Sequence, residues 1–258
     1  MPNGIAQATL GVSYALNGTF PFFTPPGSLE SQDVVGVPQF GFRIGAGGWV
    51  EIQASYETIY LHERDVDGQT NTQFGSGDAC LFTKVRLLKE GDILPALGLR
   101  FGTKLPNASR AEHLGTDETD WMGEILASRR FGPVTGHVNL GLALLGVPKP
   151  FPGQTFEAGG QDDLFAYSIA VVSKPLGDDR PEATHVTILG EVAGLAGSHF
   201  DNDRAAIRIG LQIVHGAATV YVGVGTGLIT ESEEFGANAG FTYTFDVAKL
   251  FSREADEP

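Results

Sequence analysis

Strict alternation of apolar and polar residues runs through almost the whole chain, and a two-residue period separates the faces of a strand, not those of a helix. In 235–245, Phe235, Ala237, Ala239, Phe241, Tyr243 and Phe245 share one face, while Gly236, Asn238, Gly240, Thr242 and Thr244 share the other. Residues 204–213 repeat the pattern, with Ala205, Ile207, Ile209, Leu211 and Ile213 against Arg204, Ala206, Arg208, Gly210 and Gln212. Twelve such segments are predicted, at roughly 5–16, 36–45, 49–61, 77–89, 93–105, 118–131, 134–146, 162–173, 184–195, 203–215, 217–228 and 235–245. Short joints (Ala46–Gly48, Glu90–Asp92, Gly132–Pro133, Gly216) alternate with longer ones rich in Gly, Pro, Asp and Asn, at 17–35, 62–76, 106–117, 147–161, 196–202 and 229–234. The joint at 174–183 is a longer member of the short set.

Composition narrows the possibilities. The chain has 258 residues, 17 Lys+Arg against 31 Asp+Glu and a net charge of −14, so little of it would neutralise nucleic-acid phosphates. A single cysteine, Cys80, excludes an internal disulfide framework and a Cys-based zinc cluster. No apolar run approaches the roughly 18–20 residues of a membrane helix. The residues after Met1 lack the basic start and apolar core of a secretory signal, so the expectation is an exported chain whose signal is absent from this sequence.

Two-sided strands can build a soluble sandwich or lipocalin-like fold, with the apolar face inward, or a membrane barrel, with it outward. The apolar faces, such as Val50/Ile52/Ala54/Tyr56/Thr58/Tyr60 and Val138/Leu140/Leu142/Leu144, are long and free of charge. Aromatic residues gather at their ends: Tyr60, Phe101, Trp121, Phe165 and Tyr167 toward the long loops, and Trp49, Phe131, Tyr243 and Phe245 toward the short turns. Two such girdles, short turns alternating with long loops and an even strand count are features of outer-membrane barrels. The expected fold is all-β: a single transmembrane antiparallel up-and-down barrel of about 12 strands over 1–245, with 246–258 a short charged periplasmic tail.

The last strand ends Asn238-Ala239-Gly240-Phe241-Thr242-Tyr243-Thr244-Phe245, which resembles the C-terminal signal read by the bacterial barrel-assembly machinery at Gly240, Tyr243 and Phe245. It departs from the usual form in that 13 residues follow Phe245. Gly77-Asp78, Lys84-Val85-Arg86-Leu87-Leu88, Pro95-Ala96-Leu97, Lys104-Leu105-Pro106 and Gly141 resemble the family named for the meta pathway of phenol degradation, with Val85 where a tyrosine is common. The resemblances imply a bacterial outer-membrane protein in contact with lipid and lipopolysaccharide, assembled by that machinery, with a transport-like role for a small solute.

If the apolar face meets lipid, the other face lines a lumen and carries the charge. Candidate selectivity residues are Arg43, Glu51, Asp78, Lys84, Arg86, Arg100, Lys104, Asp120, Glu124, Glu191 and Arg208. Antiparallel pairing predicts two ladders, Asp78–Lys104–Asp120 near one rim and Arg100–Glu124 deeper, with Asn139 beyond. It also sets Arg43 against Glu51 and Glu191 against Arg208. Gly141, Ala143, Ser168, Gly223 and Gly225 leave space on the remaining wall, and Ile59, Phe82, Met122, Leu126 and Leu189 make part of the interior apolar. In the first long loop Phe20, Phe22 and Phe23 either pack on the rim or form a constriction. Asp65-Val66-Asp67-Gly68 lacks the later Glu of an EF-hand loop and reads as a solvated turn. His137 and His185 have no serine fixed beside them by the sequence, as a hydrolase would require. The reading is a channel for small solutes, aromatic or hydrophobic ones among them, without cofactor or metal. A plugged barrel serving as a structural or binding module is the alternative, and a lipid-modifying barrel enzyme the third.

Overall fold

The computed structural model describes residues 1–18, 29–146, 163–177, 183–197, 203–230 and 232–252. The strands are β1 (Ile5–Leu16), β2 (Leu29–Ala46), β3 (Val50–Asp65), β4 (Thr70–Ser76), β5 (Ala79–Leu88), β6 (Ala96–Leu105), β7 (Asp120–Phe131), β8 (Val134–Leu144), β9 (Leu164–Ser173), β10 (Thr184–Ala196), β11 (Arg204–His215), β12 (Ala218–Gly227) and β13 (Phe235–Asp246). A short helix, α1 (Val247–Ser252), follows. Twelve strands close into one antiparallel barrel: β13 pairs back onto β1 from Ile5↔Asp246 to Leu16↔Phe235, and β2 pairs with β3.

The thirteenth strand, β4, is an addition to the expected twelve. It pairs with the far half of β3, Thr58–Arg64, whereas β5 pairs with the near half, Val50–Ser55. β4 and β5 therefore lie end to end along β3, broken at Gly77 and Asp78, where the Gly77 amide donates to the Glu57 carbonyl at 2.9 Å. β2 starts at Leu29, earlier than predicted, because a bulge between Gly36 and Gln39 switches which residues face inward and breaks the period. Past this point β2, β3 and β4 stand above the rim as a three-stranded extension. Its tip is the Asp65–Gln69 turn, where Asp65 Oδ1 accepts the Asp67 amide at 3.0 Å and the Gln69 amide at 2.8 Å.

Every barrel strand presents an exposed apolar residue on the outer wall: Leu10, Phe40, Ile52, Leu81, Leu99, Ile125, Leu140, Ile169, Val192, Ile207, Val222 and Phe241. Their relative exposure runs from 36% to 61%. The only buried hydrophobic cluster among the described residues is Ile59, Leu61, Ala108 and Leu114. A soluble fold would bring Ile207, Leu140 and Phe241 together at its centre. Here they stand apart on an apolar belt suited to hydrocarbon. Trp121, Phe101, Tyr60 and Phe165 lie at its long-loop edge, and Phe131 and Tyr243 at its short-turn edge, all exposed; Trp49, expected in this girdle, instead lines a cavity at the short-turn mouth of the lumen, because it belongs to the hairpin loop and not to the outer face of β3.

β13 closes the barrel with its glycine on the lumen side. A Cβ at Gly240 would lie 2.4 Å from the Tyr221 hydroxyl, and one at Gly11, its partner on β1, 2.8 Å from the same atom. The Tyr221 ring thus lies across the seam over two glycines, a direct packing reason for glycine at 240. The expected tail begins as α1, and its residues beyond 252 lie outside the described residues, as do Phe20, Phe22 and Phe23.

Ile209→Arg should lower unfolding stability in lipid vesicles by about 2–4 kcal/mol, the depth-dependent cost of a cation on a barrel's lipid face. Gln212→Arg, on the inner face of the same strand, should change it little; denaturant titration of both variants checks the assignment of faces.

Candidate functional site

The inner wall from β3 to β7 carries a connected line of polar groups. Arg100 NH1 meets Glu124 Oε2 at 3.0 Å, and Arg100 Nε donates to Gln53 Oε1 at 3.0 Å. Gln53 Nε2 donates to Glu51 Oε1 at 2.6 Å, and the Met1 amino group lies 3.3 Å from Glu51 Oε2. The Arg100 guanidinium also sits 3.7 Å from the centre of the Phe82 ring. Charge, amide and ring fix this arginine from three sides, as an ion in a narrow lumen requires.

Nearer the long loops, Lys104 Nζ lies 2.8 Å from Asp120 Oδ2 and 3.2 Å from Asp78 Oδ2, and donates to Thr116 Oγ1 at 2.9 Å. Thr116 belongs to the third long loop, 106–119, which folds against the inner face of the three-stranded extension. Its Ala108 and Leu114 pack with Ile59 and Leu61 of β3. Asp78 Oδ1 accepts the amides of Asn107 and Ala108 at 2.9 and 2.8 Å. Glu63 Oε2 meets His113 Nδ1 at 3.0 Å, and its Oε1 accepts from Gln32 at 2.9 Å. Lys104 is thus at once a rung of the charge ladder and the fastening of an inward-folded loop.

Two cavities adjoin below this loop and share Glu124, Ala166 and Leu195. One, of about 420 Å³, is bounded by Gly115 and Thr116 and lined by Ile59, Met122, Ala143 and Leu164, with Cys80 on its wall. The other, of about 410 Å³, lies against the small-residue wall of Gly141, Ser168 and Ala193, with Asn139, Arg204 and Arg208 around it. A third, of about 220 Å³, opens at the short-turn mouth between Glu51, Lys84, Arg86 and Leu126.

Several predicted pairings differ in detail. Arg43 faces Gln53, not Glu51, because the hairpin loop is Gly47-Gly48-Trp49 with Ala46↔Val50 as closing pair. Both glycines have positive φ, +61° and +74°, and this loop moves the register by two residues while leaving the faces unchanged. Lys104 stands opposite Cys80, so Asp78 reaches it diagonally from beyond the end of β5. Glu191 does pair with Arg208 in register, but the guanidinium turns to Glu233 Oε1 at 2.7 Å. Lys84 lies between Glu51 and Arg100 in register, and Arg86 donates to the Gly48 carbonyl at 2.6 Å at the short-turn mouth.

The constriction expected at Phe20, Phe22 and Phe23 lies outside the described residues, and among the described residues it is the third long loop that folds inward. Its signal was present as Ala108 and Leu114, apolar residues in an otherwise polar segment beside the Lys104 ladder. The sequence also fixed no serine beside His137, but the cross-strand pair Ser128↔His137 brings Ser128 Oγ within 2.7 Å of His137 Nδ1. Among the described residues no carboxylate holds the other ring nitrogen, so the pair lacks the orienting group of a nucleophilic triad.

No family model matches the chain, and no curated protein matches it. Among solved structures, it is similar to an outer membrane channel from Pseudomonas putida F1, at 11% identity and TM-score 0.64, over 95% of this chain and 97% of that one. It is also similar to the beta domain of the Bordetella autotransporter BrkA, at 10% identity and TM-score 0.52, over 93% of this chain and 99% of that domain. At these identities the likeness is one of fold: a closed antiparallel barrel.

Lys104→Met should leave Asp78 and Asp120 without their cation. Breaking a buried pair this way costs roughly 3–5 kcal/mol. The expected result is faster hydrogen exchange at the amides of Asn107, Ala108 and Leu114, with the amides of β8–β12 unchanged.

Proposed function

We propose that the protein is an outer-membrane channel for small solutes, with the loop 106–119 as an internal lid. The observation that carries this reading is the pairing of an apolar belt on all twelve barrel strands with a lumen holding two adjoining cavities of about 410 and 420 Å³. The fold shared with an outer membrane channel supports it, as does the resemblance to the meta-pathway phenol degradation family. In this reading the short turns face the periplasm and the long loops the exterior. The belt contacts lipid and lipopolysaccharide, and Gly240, Tyr243 and Phe245 serve assembly.

The cavity beneath the lid suits a solute with an apolar, aromatic or hydrophobic body. Ile59, Met122, Leu164 and Leu195 line it, while Asp78 and Asp120 hold Lys104, Glu124 holds Arg100 and Glu57 accepts from Gln39. Arg100 and Glu124 mark the deeper passage and would set ion preference, as charged rings do in other pores. Arg43, Glu51, Lys84, Arg86, Glu191 and Arg208 contribute to the same field.

The lid also supports a second reading, a plugged barrel that binds a ligand or partner. An enzyme reading draws on the Ser128–His137 contact alone. Refolded protein in planar bilayers should give small conductance steps. Deleting 108–116 should enlarge them, and Arg100→Ala with Glu124→Ala should change the cation-to-anion permeability ratio. No conductance and no liposome uptake from either the wild-type or the lid-deleted protein would sink the channel reading. Labelling of Ser128 by a fluorophosphonate would favour the enzyme.

A further inference from the structure

The cavity of about 220 Å³ at the short-turn mouth differs in charge from the rest of the lumen. Elsewhere on the inner wall, Arg100, Lys104 and Arg208 each have a carboxylate oxygen within 3.0 Å. At the mouth, Lys84 and Arg86, successive inward residues of β5, both line the cavity, and neither forms an ion pair among the described residues. Arg86 is anchored without being neutralised: it donates to the Gly48 carbonyl at 2.6 Å and lies 5.3 Å from the centre of the Trp49 ring. A carbonyl and an indole face hold a guanidinium in place and leave its charge and its other donors for a ligand. Glu51 is the acid among the described residues that line the cavity, and it stands opposite Lys84 in register. Its oxygens are already engaged, one with Gln53 at 2.6 Å and the other with the Met1 amino group at 3.3 Å.

The rest of the wall offers a hydroxyl and an apolar surface. Ser128 lines it, with Oγ 2.7 Å from His137 Nδ1. When Nδ1 carries the ring proton it donates to Oγ, and the hydroxyl's own hydrogen is free to meet a ligand. Ala96, Leu97, Leu126 and the Trp49 ring, 53% exposed, supply the remainder. The volume equals that of about seven waters at ~30 Å³ each, room for a small organic acid and too little for a nucleotide or a lipid.

We propose that the short-turn mouth holds a binding site for small monocarboxylates with an apolar body. The carboxylate meets Lys84, Arg86 and the Ser128 hydroxyl, and the body lies against Trp49 and Leu126. Two carboxylate oxygens, with about four lone-pair sites, match these three donor groups. The Ser128–His137 contact then serves binding and not catalysis. The proposal deepens the channel reading, and rests on it, by naming the class of solute; the same apolar body suits the cavity beneath the lid.

Trp49 reports on the site once Trp121→Phe has removed the other tryptophan. That protein, refolded in detergent, is titrated at constant ionic strength with cyclohexanecarboxylate and with its uncharged counterpart, cyclohexanecarboxamide. Trp49 emission should change saturably with the acid. The amide should bind at least about tenfold more weakly, the scale of a lost charge-assisted hydrogen bond. In the same background Lys84→Met should weaken binding of the acid by about tenfold. Ser128→Ala, which keeps both cations, should weaken it by about threefold or more. Circular dichroism checks that each variant keeps its β-sheet. Equal binding of acid and amide, or an equal response to sodium chloride, would overturn the carboxylate site. Conductance or uptake without saturable acid binding would overturn the site and leave the channel standing. Acid binding that Lys84→Met weakens, in a barrel with no conductance or uptake, would uphold the site and count against the channel alone.

Discussion

The hydrogen-bonded seam between β1 and β13 is the constraint from which the rest of the structure follows. An open sheet would leave a row of unpaired amides and carbonyls at each edge, and in hydrocarbon each such group costs several kcal/mol. Pairing from Ile5↔Asp246 to Leu16↔Phe235 removes both edges over the full strand length. Once the sheet is closed, it has only an inside and an outside, and the two-residue period must assign every side chain to one of them. The apolar belt and the charged lumen are therefore one consequence seen from two sides. The exception supports the rule: β4, which has one partner strand and a free edge, stands in the extension above the belt, where its mostly polar sequence can meet water.

Closure also explains how the lumen charges are arranged. Ions crowded into one interior are costly to leave separate, so several pair across neighbouring strands. Arg100–Glu124 and Lys104–Asp120 span the same strand pair four residues apart, and both join β6 to β7. Gln53 and Phe82 extend the first connection to β3 and β5. The polar scaffold is concentrated on β3–β7, and much of the opposite wall is glycine, alanine and serine. The cavity of about 410 Å³ lies against that wall. Space and charge are thus separated around the circumference, so the open volume inside the barrel is off-centre.

Much of this was legible in the sequence because antiparallel geometry makes it arithmetic. A fixed index sum gave Arg100–Glu124 and Lys104–Asp120, and alternation gave the faces of most of the barrel strands. What failed was set by single turn residues. Trp49 joins the hairpin loop instead of β3, which moves Arg43 two places from Glu51. A one-residue bulge after Gly36 hides the start of β2. β4 was invisible because Thr70–Ser76 has no apolar face, there being no lipid beside it to demand one. The lid was missed for a different reason: its placement depends on contacts between segments far apart in sequence, Thr116 with Lys104 and Leu114 with Leu61, and no local period encodes them.

The forces on the lid differ in kind, and the difference bears on whether the barrel is a gate or a plug. Its apolar anchorage is small. Leu114 is the only large apolar side chain it buries, worth about 1.5–3 kcal/mol, and Ala108 adds less; Arg110 of the same loop is buried as well. The remaining hold is polar: Lys104 to Thr116, Asp78 to two amides, and Glu63 to His113. Groups of this kind regain water when they separate, so opening exchanges protein partners for solvent with little apolar surface exposed. Asp78 and Asp120 still hold Lys104 when the loop leaves, so no unpaired cation is stranded in the lumen. A permanent plug would be expected to carry a larger core. In the proposed channel, a segment whose apolar core is one leucine would sit toward the low-stability end of local opening, as a gate requires.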